Sequence, residues 1–239
     1  MKVDLLIISI APSLTFLIWA YIKDKYEKEP IRFLGKLFFI GTLISIPAII
    51  IEDMLIKINI NNEYLNLLYI AFIVAAFTEE ILKVIVLISY TLKSKYYTEK
   101  LDGIVYSIFI TLGFATIENI IYIFGESYLN VFEVGLSRAI ISIPAHIMFS
   151  ITMGYYLSIY KFSKEKMNIK KIYLLNVILI PVILHGLFDF LLMLKTSWST
   201  VVFLIYLIYL WKINLDKFDE YTDYARRRFI RLKKSKRRK

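Results

Sequence analysis

The 239-residue sequence contains no cysteine. Disulfides, zinc–thiolate sites and a cysteine nucleophile are therefore excluded. Histidine is nearly missing as well, with only His146 and His185. No Gly-x-Ser-x-Gly elbow occurs, so covalent serine catalysis has weak support. No His-Glu-x-x-His pair marks a standard zinc-protease helix. Charge is sparse: 21% of residues are charged against 58% hydrophobic, with mean hydropathy +0.62. A soluble domain is usually about half apolar, so the balance points toward lipid. No internal repeat and no Gly/Ser linker divides the chain.

What is present is a series of long apolar runs. A spanning helix needs roughly 20 mostly apolar residues. Seven runs meet or approach that length, at 3–22, 33–56, 65–92, 103–124, 133–161, 171–194 and 199–213, the last being the shortest. The expected fold is all-α, a polytopic transmembrane helix bundle of about seven spans. No small-residue cleavage site follows the first run, which is expected to stay as an uncleaved span.

The net charge of +10 raises nucleic-acid binding, but its distribution argues against that partner. Of the 30 basic residues, 25 fall in the segments after the first, third, fifth and seventh runs. Lys2, Lys57 and Lys195 stand on the opposite side, and Lys83 and Arg138 lie inside runs. Basic residues collect on the cytoplasmic side of membrane proteins. The N-terminus is thus expected outside and the C-terminus in the cytoplasm of a multi-pass cell-membrane protein. The chain divides into a membrane domain, 1–213, and a basic cytoplasmic tail, 214–239, read as an anchor beside anionic lipid.

Ionisable residues at membrane depth are costly and usually face a bundle interior. In the third run Lys83 follows Glu79 by four residues and Glu80 by three, which places it on the same helix face as either. One carboxylate can pair with Lys83 and leave the other for proton transfer. The fourth run carries Glu118 and Asn119, the fifth Arg138 and His146, the sixth His185 and Asp189. His185 and Asp189, four apart, share a face, so the carboxylate can orient the imidazole. His146, His185, Asp189 and Glu118 are also metal-ligand candidates. Water activation fits this set: a carboxylate or imidazole takes the proton, and Asn119, Arg138 or a His stabilises the oxyanion. The residues are compatible with a divalent metal such as zinc and equally with none.

Motifs stand in order along the chain: Ala11-Pro12 through Trp19, Asp24, Glu29-Pro30 and Gly41; then Glu79-Glu80-Ile81-Leu82-Lys83, of the form Glu-Glu-x-x-Lys; then Leu101-Asp102-Gly103 and Gly113 to Asn119; then Arg138, Pro144 and His146; then His185 to Asp189. In this order they resemble the PrsW family of intramembrane proteases, which is distantly similar to CAAX prenyl proteases and bacteriocin-processing proteases. The first group looks like that family's opening, the second like its Glu-Glu-x-x-Lys motif, and the others like its second, third and fourth blocks. The prenyl proteases have a His where this chain has Glu118. The resemblance implies a membrane peptidase that makes the first cut in a single-pass anti-sigma factor. It implies Glu79, Glu80, Glu118 and His185 as catalytic residues, with His146 and Asp189 next and Lys83, Asn119 and Arg138 in support.

Two other readings compete. Buried Glu, Lys, Arg and His also build proton relays, so a proton- or cation-coupled transporter is one. The absence of repeated halves counts against it. A non-catalytic membrane scaffold is the other.

Overall fold

A computed structural model describes residues 2–125, 127 and 130–236. Glu126 in an expected polar break, and Arg237, Arg238 and Lys239 of the expected tail, lie outside the described residues. Seven helical rods follow in order. They are α1 (Lys2–Lys23), α2 (Ile31–Leu55), α3, α4 (Lys100–Gly125), α5, α6 (Met167–Met193) and α7 (Ser197–Lys236). Two rods change winding on the way. α3 runs from Glu63–Tyr69 through a π-helical stretch, Ile70–Phe77, into Thr78–Thr91. α5 runs from Val131–Ser137 through a second π-helical stretch, Arg138–Ser142, into Ile143–Phe162. No strand occurs among the described residues.

Among the described residues six helices are long and apolar enough to cross a membrane. The protein is a multi-pass membrane helix bundle. α3 is not among the six, and it carries Glu79, Glu80 and Lys83. Local sequence explains several boundaries. Pro30, in extended conformation, precedes α2. The Asn62 side chain accepts the Leu65 N–H at 3.0 Å and caps α3. Pro144 has no N–H to give to the preceding turn, and the wider π turns end at Ser142, two residues before it.

α4 is the central helix. Every residue from Leu101 to Thr116 is buried, as expected for a helix that is apolar all round. Lipid supplies no drive for apolar faces to associate, so close backbone approach does that work. Gly103 of α4 and Gly154 of α5 provide it: a Cβ on Gly154 would lie 2.3 Å from the Gly103 carbonyl oxygen.

α7 continues without interruption past residue 213. Polar residues beyond that point pack against the bundle. Asn214 is fully buried and takes a hydrogen bond from the Thr152 hydroxyl. Trp19 stacks on Phe218 with ring centroids 5.2 Å apart, and Tyr155 stacks on Tyr221 at 4.7 Å. Residues 214–236 are therefore a docked stretch of helix, with Phe218, Tyr221 and Ala225 buried on one face. The basic loops gather at this end. Lys161 donates to the Leu92 carbonyl at 2.9 Å, and Arg228 reaches Glu27 at 2.9 Å and Glu99 at 3.3 Å.

Candidate active site

The π stretch of α3 ends where the chemistry begins. Such wide turns are frequent at functional sites. Thr78, Glu79, Glu80 and Lys83 follow it directly and are all buried. Lys83 Nζ lies 2.8 Å from Glu79 Oε2 and 2.8 Å from Glu80 Oε1. The ammonium also stands 4.3 Å from the centre of the Phe114 ring. Both carboxylates thus share one buried cation, as helical spacing of three and four requires.

α6 brings His185 to the same pair. Its Nδ1 lies 3.0 Å from Glu80 Oε1, and its Nε2 lies 3.3 Å from Asp189 Oδ2. Gly186 makes this possible. A Cβ there would lie 2.3 Å from the ring of Phe72 in the π stretch, so only glycine lets α6 close on α3. Phe149 stacks on the His185 ring at 4.9 Å. An imidazole bonded at both nitrogens and stacked on one face has a fixed orientation.

The second histidine arrives from α5. His146 Nε2 lies 2.9 Å from Glu118 Oε2. Arg138 Nη2 lies 3.0 Å from the other oxygen, Oε1. The Arg138 Nε–H donates to the Asn119 side-chain oxygen, and Asn119 in turn donates to the Ser9 carbonyl at 3.1 Å. Asn119 therefore braces the arginine. The two imidazole rings stand edge to face, 5.3 Å apart.

All nine candidates from the sequence come together. Glu79, Glu118, Arg138, His146, His185 and Asp189 line one cavity of about 490 Å³. Glu80 and Lys83 lie behind Glu79, and Asn119 behind Arg138, through the contacts just given. A cavity of this size suits a small ligand or a peptide segment. Its wall includes Ile49, Ile121 and Leu192, side chains that are also exposed on the outside of the bundle. Sequence reasoning did not single out Glu52, which lines the same cavity from α2. The signal was available: a carboxylate inside the run 33–56.

Glu79, Glu80, His146 and His185 each offer a ligand atom, all within 4.8 Å of one another. Two polar atoms in this set, Glu80 Oε2 and His146 Nδ1, are buried with no hydrogen-bond partner. Orphaned buried acceptors are rare and call for an occupant. Two histidines and a carboxylate form a known donor set for catalytic zinc. The residues present therefore fit a divalent ion; of the four expected ligand candidates His146 and His185 stay in the set, Glu79 and Glu80 join them, and Glu118 and Asp189 stand as hydrogen-bond partners of the two histidines.

Residues 29–213 match the family described as PrsW family intramembrane metalloprotease. The chain is 48% identical over 239 residues to Protease PrsW of Clostridioides difficile (strain 630), covering 99% of this chain and 100% of that protein. It is 35% identical over 217 residues to Protease PrsW of Geobacillus kaustophilus (strain HTA426), covering 91% and 92%. The corresponding protein of Bacillus subtilis (strain 168) is 32% identical over 208 residues, covering 87% and 91%. No solved structure matches the chain at a significant level.

Proposed function

The chain belongs to the PrsW family of intramembrane proteases, and from that premise we propose that it makes the first cut in a single-pass membrane protein of the anti-sigma factor type, with water activated by its Glu and His side chains. One observation carries the chemical part of this reading. Glu79, His146 and His185, side chains able to hold or deprotonate water, line a cavity large enough for a peptide segment, with Glu80 directly behind them and within ligand reach of all three.

Roles follow from which atoms are free. Glu79 lines the cavity and is pinned by Lys83 through Oε2 alone. Its second oxygen accepts the proton of the attacking water. The water oxygen bonds to the scissile carbonyl carbon, the C–N bond breaks, and Glu79 returns the proton to the leaving amine. Arg138, held by Glu118 and Asn119, presents positive charge for the oxygen that becomes anionic. Glu80 through its unpartnered Oε2, His146 through its unpartnered Nδ1, and His185 through Nδ1 with its contact to Glu80 given up, would hold a divalent ion, which would lower the pKa of water and polarise the carbonyl. Asp189 and Glu118 fix the two imidazoles in orientation.

Reconstitution of the purified protein with a single-pass anti-sigma factor tests the reading. Cleavage is expected, and a chelator is expected to suppress it until zinc is restored. Intact substrate after incubation with the metal-loaded protein would sink the proposal. Cleavage that persists in excess chelator would sink its metal part alone.

A further inference from the structure

α2 turns one face to the cavity, with Ser45, Ile49 and Glu52 spaced four and three residues apart. Glu52 differs from every other carboxylate in the wall. Glu79 has Lys83, Glu118 has Arg138 and His146, and Asp189 has His185. Among the described residues Glu52 has no ion pair, and its Oε1 is buried without a hydrogen-bond partner. Nor does it belong to the set of four able to share a metal ion. The fields that reach it come from Glu79 and Glu118, which repel it, and from Lys83 and His185, which are already committed. A charged carboxylate whose oxygen is buried without a counter-charge is expensive, and an opposite charge brought to it offsets that cost.

We propose that Glu52 receives a cationic side chain, Lys or Arg, of the segment that enters the cavity, and so selects substrates carrying one positive charge beside the cleaved bond. This rests on the protease reading above. The chemistry suits the place. Lys and Arg lay an apolar stem along apolar surface and carry the charge at the tip, and Ile49 and Leu192 supply that surface.

The test does not need turnover. Dodecylammonium and dodecanol share a chain and differ in charge. Their binding to the full chain in a maltoside detergent is measured by calorimetry for wild type, Glu52→Gln and Asp53→Asn. Asp53, next along α2, pairs with Lys57 on the exposed side and serves as control. The expected result is dodecylammonium binding weakened roughly tenfold or more by Glu52→Gln alone, with dodecanol unaffected; a charge-assisted bond is worth that much. Affinities within threefold of wild type for dodecylammonium overturn the proposal. An equal loss of dodecanol binding overturns it too, because then the cavity and not the charge was changed. Failure of the protease reading looks different: no cleavage by any variant, with the discrimination between the two probes intact.

Discussion

Two clusters of carboxylates stand at different levels of this bundle, and they are built on opposite plans. In and just behind the cavity, Glu79, Glu80, Glu118 and Asp189, buried or half-buried, each touch a cationic or imidazole partner at 2.8 to 3.3 Å. At the end where the basic loops gather, Asp24, Glu29, Glu99 and Asp102 are buried with one arginine between them, Arg228. Two of these acids serve the backbone instead. Asp24 accepts the Glu29 N–H at 3.0 Å, and Asp102 accepts the N–H groups of Thr98 and Glu99 at 2.7 and 2.8 Å, closing the start of α4. Each still has an oxygen without a partner, as does the Tyr106 hydroxyl beside them. Burial pushes Asp24 up to about 6 and Glu29 and Glu99 up to about 7. The difference teaches that the same residue type is used in two ways. With opposite charges supplied at contact distance it forms a charged site. Without them it takes up protons and becomes a structural joint.

The largest expected effect separates the clusters by activity. Glu79→Gln, Glu80→Gln or His185→Ala should lower kcat/KM about a hundred- to ten-thousandfold, whereas Glu29→Gln should leave it within about threefold. Equal losses in a single-turnover cleavage assay would dissolve the distinction.

Next in size is the cost of leaving a charge stranded. Arg138→Ala removes the partner of both Glu118 and Asn119. Breaking a buried pair by deleting one member costs about 3–5 kcal/mol, read as a lower unfolding midpoint in detergent. Arg138→Lys should recover only part of it, since a point charge cannot replace the planar fork. A midpoint equal to wild type for Arg138→Ala would show that the pairing is not what stabilises this cluster.

A smaller effect belongs to pH. Asp24, Glu29 and Glu99 bind protons more readily folded than unfolded. Their contribution is complete below about pH 4, the ordinary carboxylate range, and is withdrawn as pH rises through about 6 to 7. The facing charges are Glu27, Lys28, Asp102 and Arg228. Amide exchange in 214–236, the docked part of α7, should therefore be slower at pH 5.5 than at pH 8 after correction for intrinsic rates. Protection that is flat with pH would contradict this. Smallest of all, Glu29→Gln mimics the protonated acid and should flatten part of that dependence, with slower exchange than wild type at pH 8.

Contacts along one helix were legible in the sequence. The spacing of Glu79, Glu80 and Lys83, and of His185 and Asp189, places these groups on shared faces, and the structure has them in contact. The helical class and the membrane setting followed from run length and composition. Contacts between helices were not legible, because spacing says nothing about neighbours. The bridge from Glu118 to His146 and Arg138, and the closure of α6 on Phe72 at Gly186, depend on packing alone. The chain after 213 reads as a charge run by composition. Its buried face is only four residues, Asn214, Phe218, Tyr221 and Ala225, too few to outweigh the basic residues around them. Glu52 was hidden by its position close to the end of α2, where a carboxylate is unremarkable until a cavity is seen beside it.

The wide turns at Ile70–Phe77 set the phase of everything that follows them in α3. A residue added or removed in an α-helix rotates the downstream chain by about 100°. In a π turn each residue contributes a smaller rotation, so the stretch shifts the phase of the chain after it relative to the chain before it. The face of α3 that meets α6 and the face that carries Glu79, Glu80 and Lys83 are therefore set independently. Shortening Ile70–Phe77 by one residue would regularise the winding and swing the carboxylates away from His185. The irregular stretch works as an angular offset, and the site exists because that offset is kept.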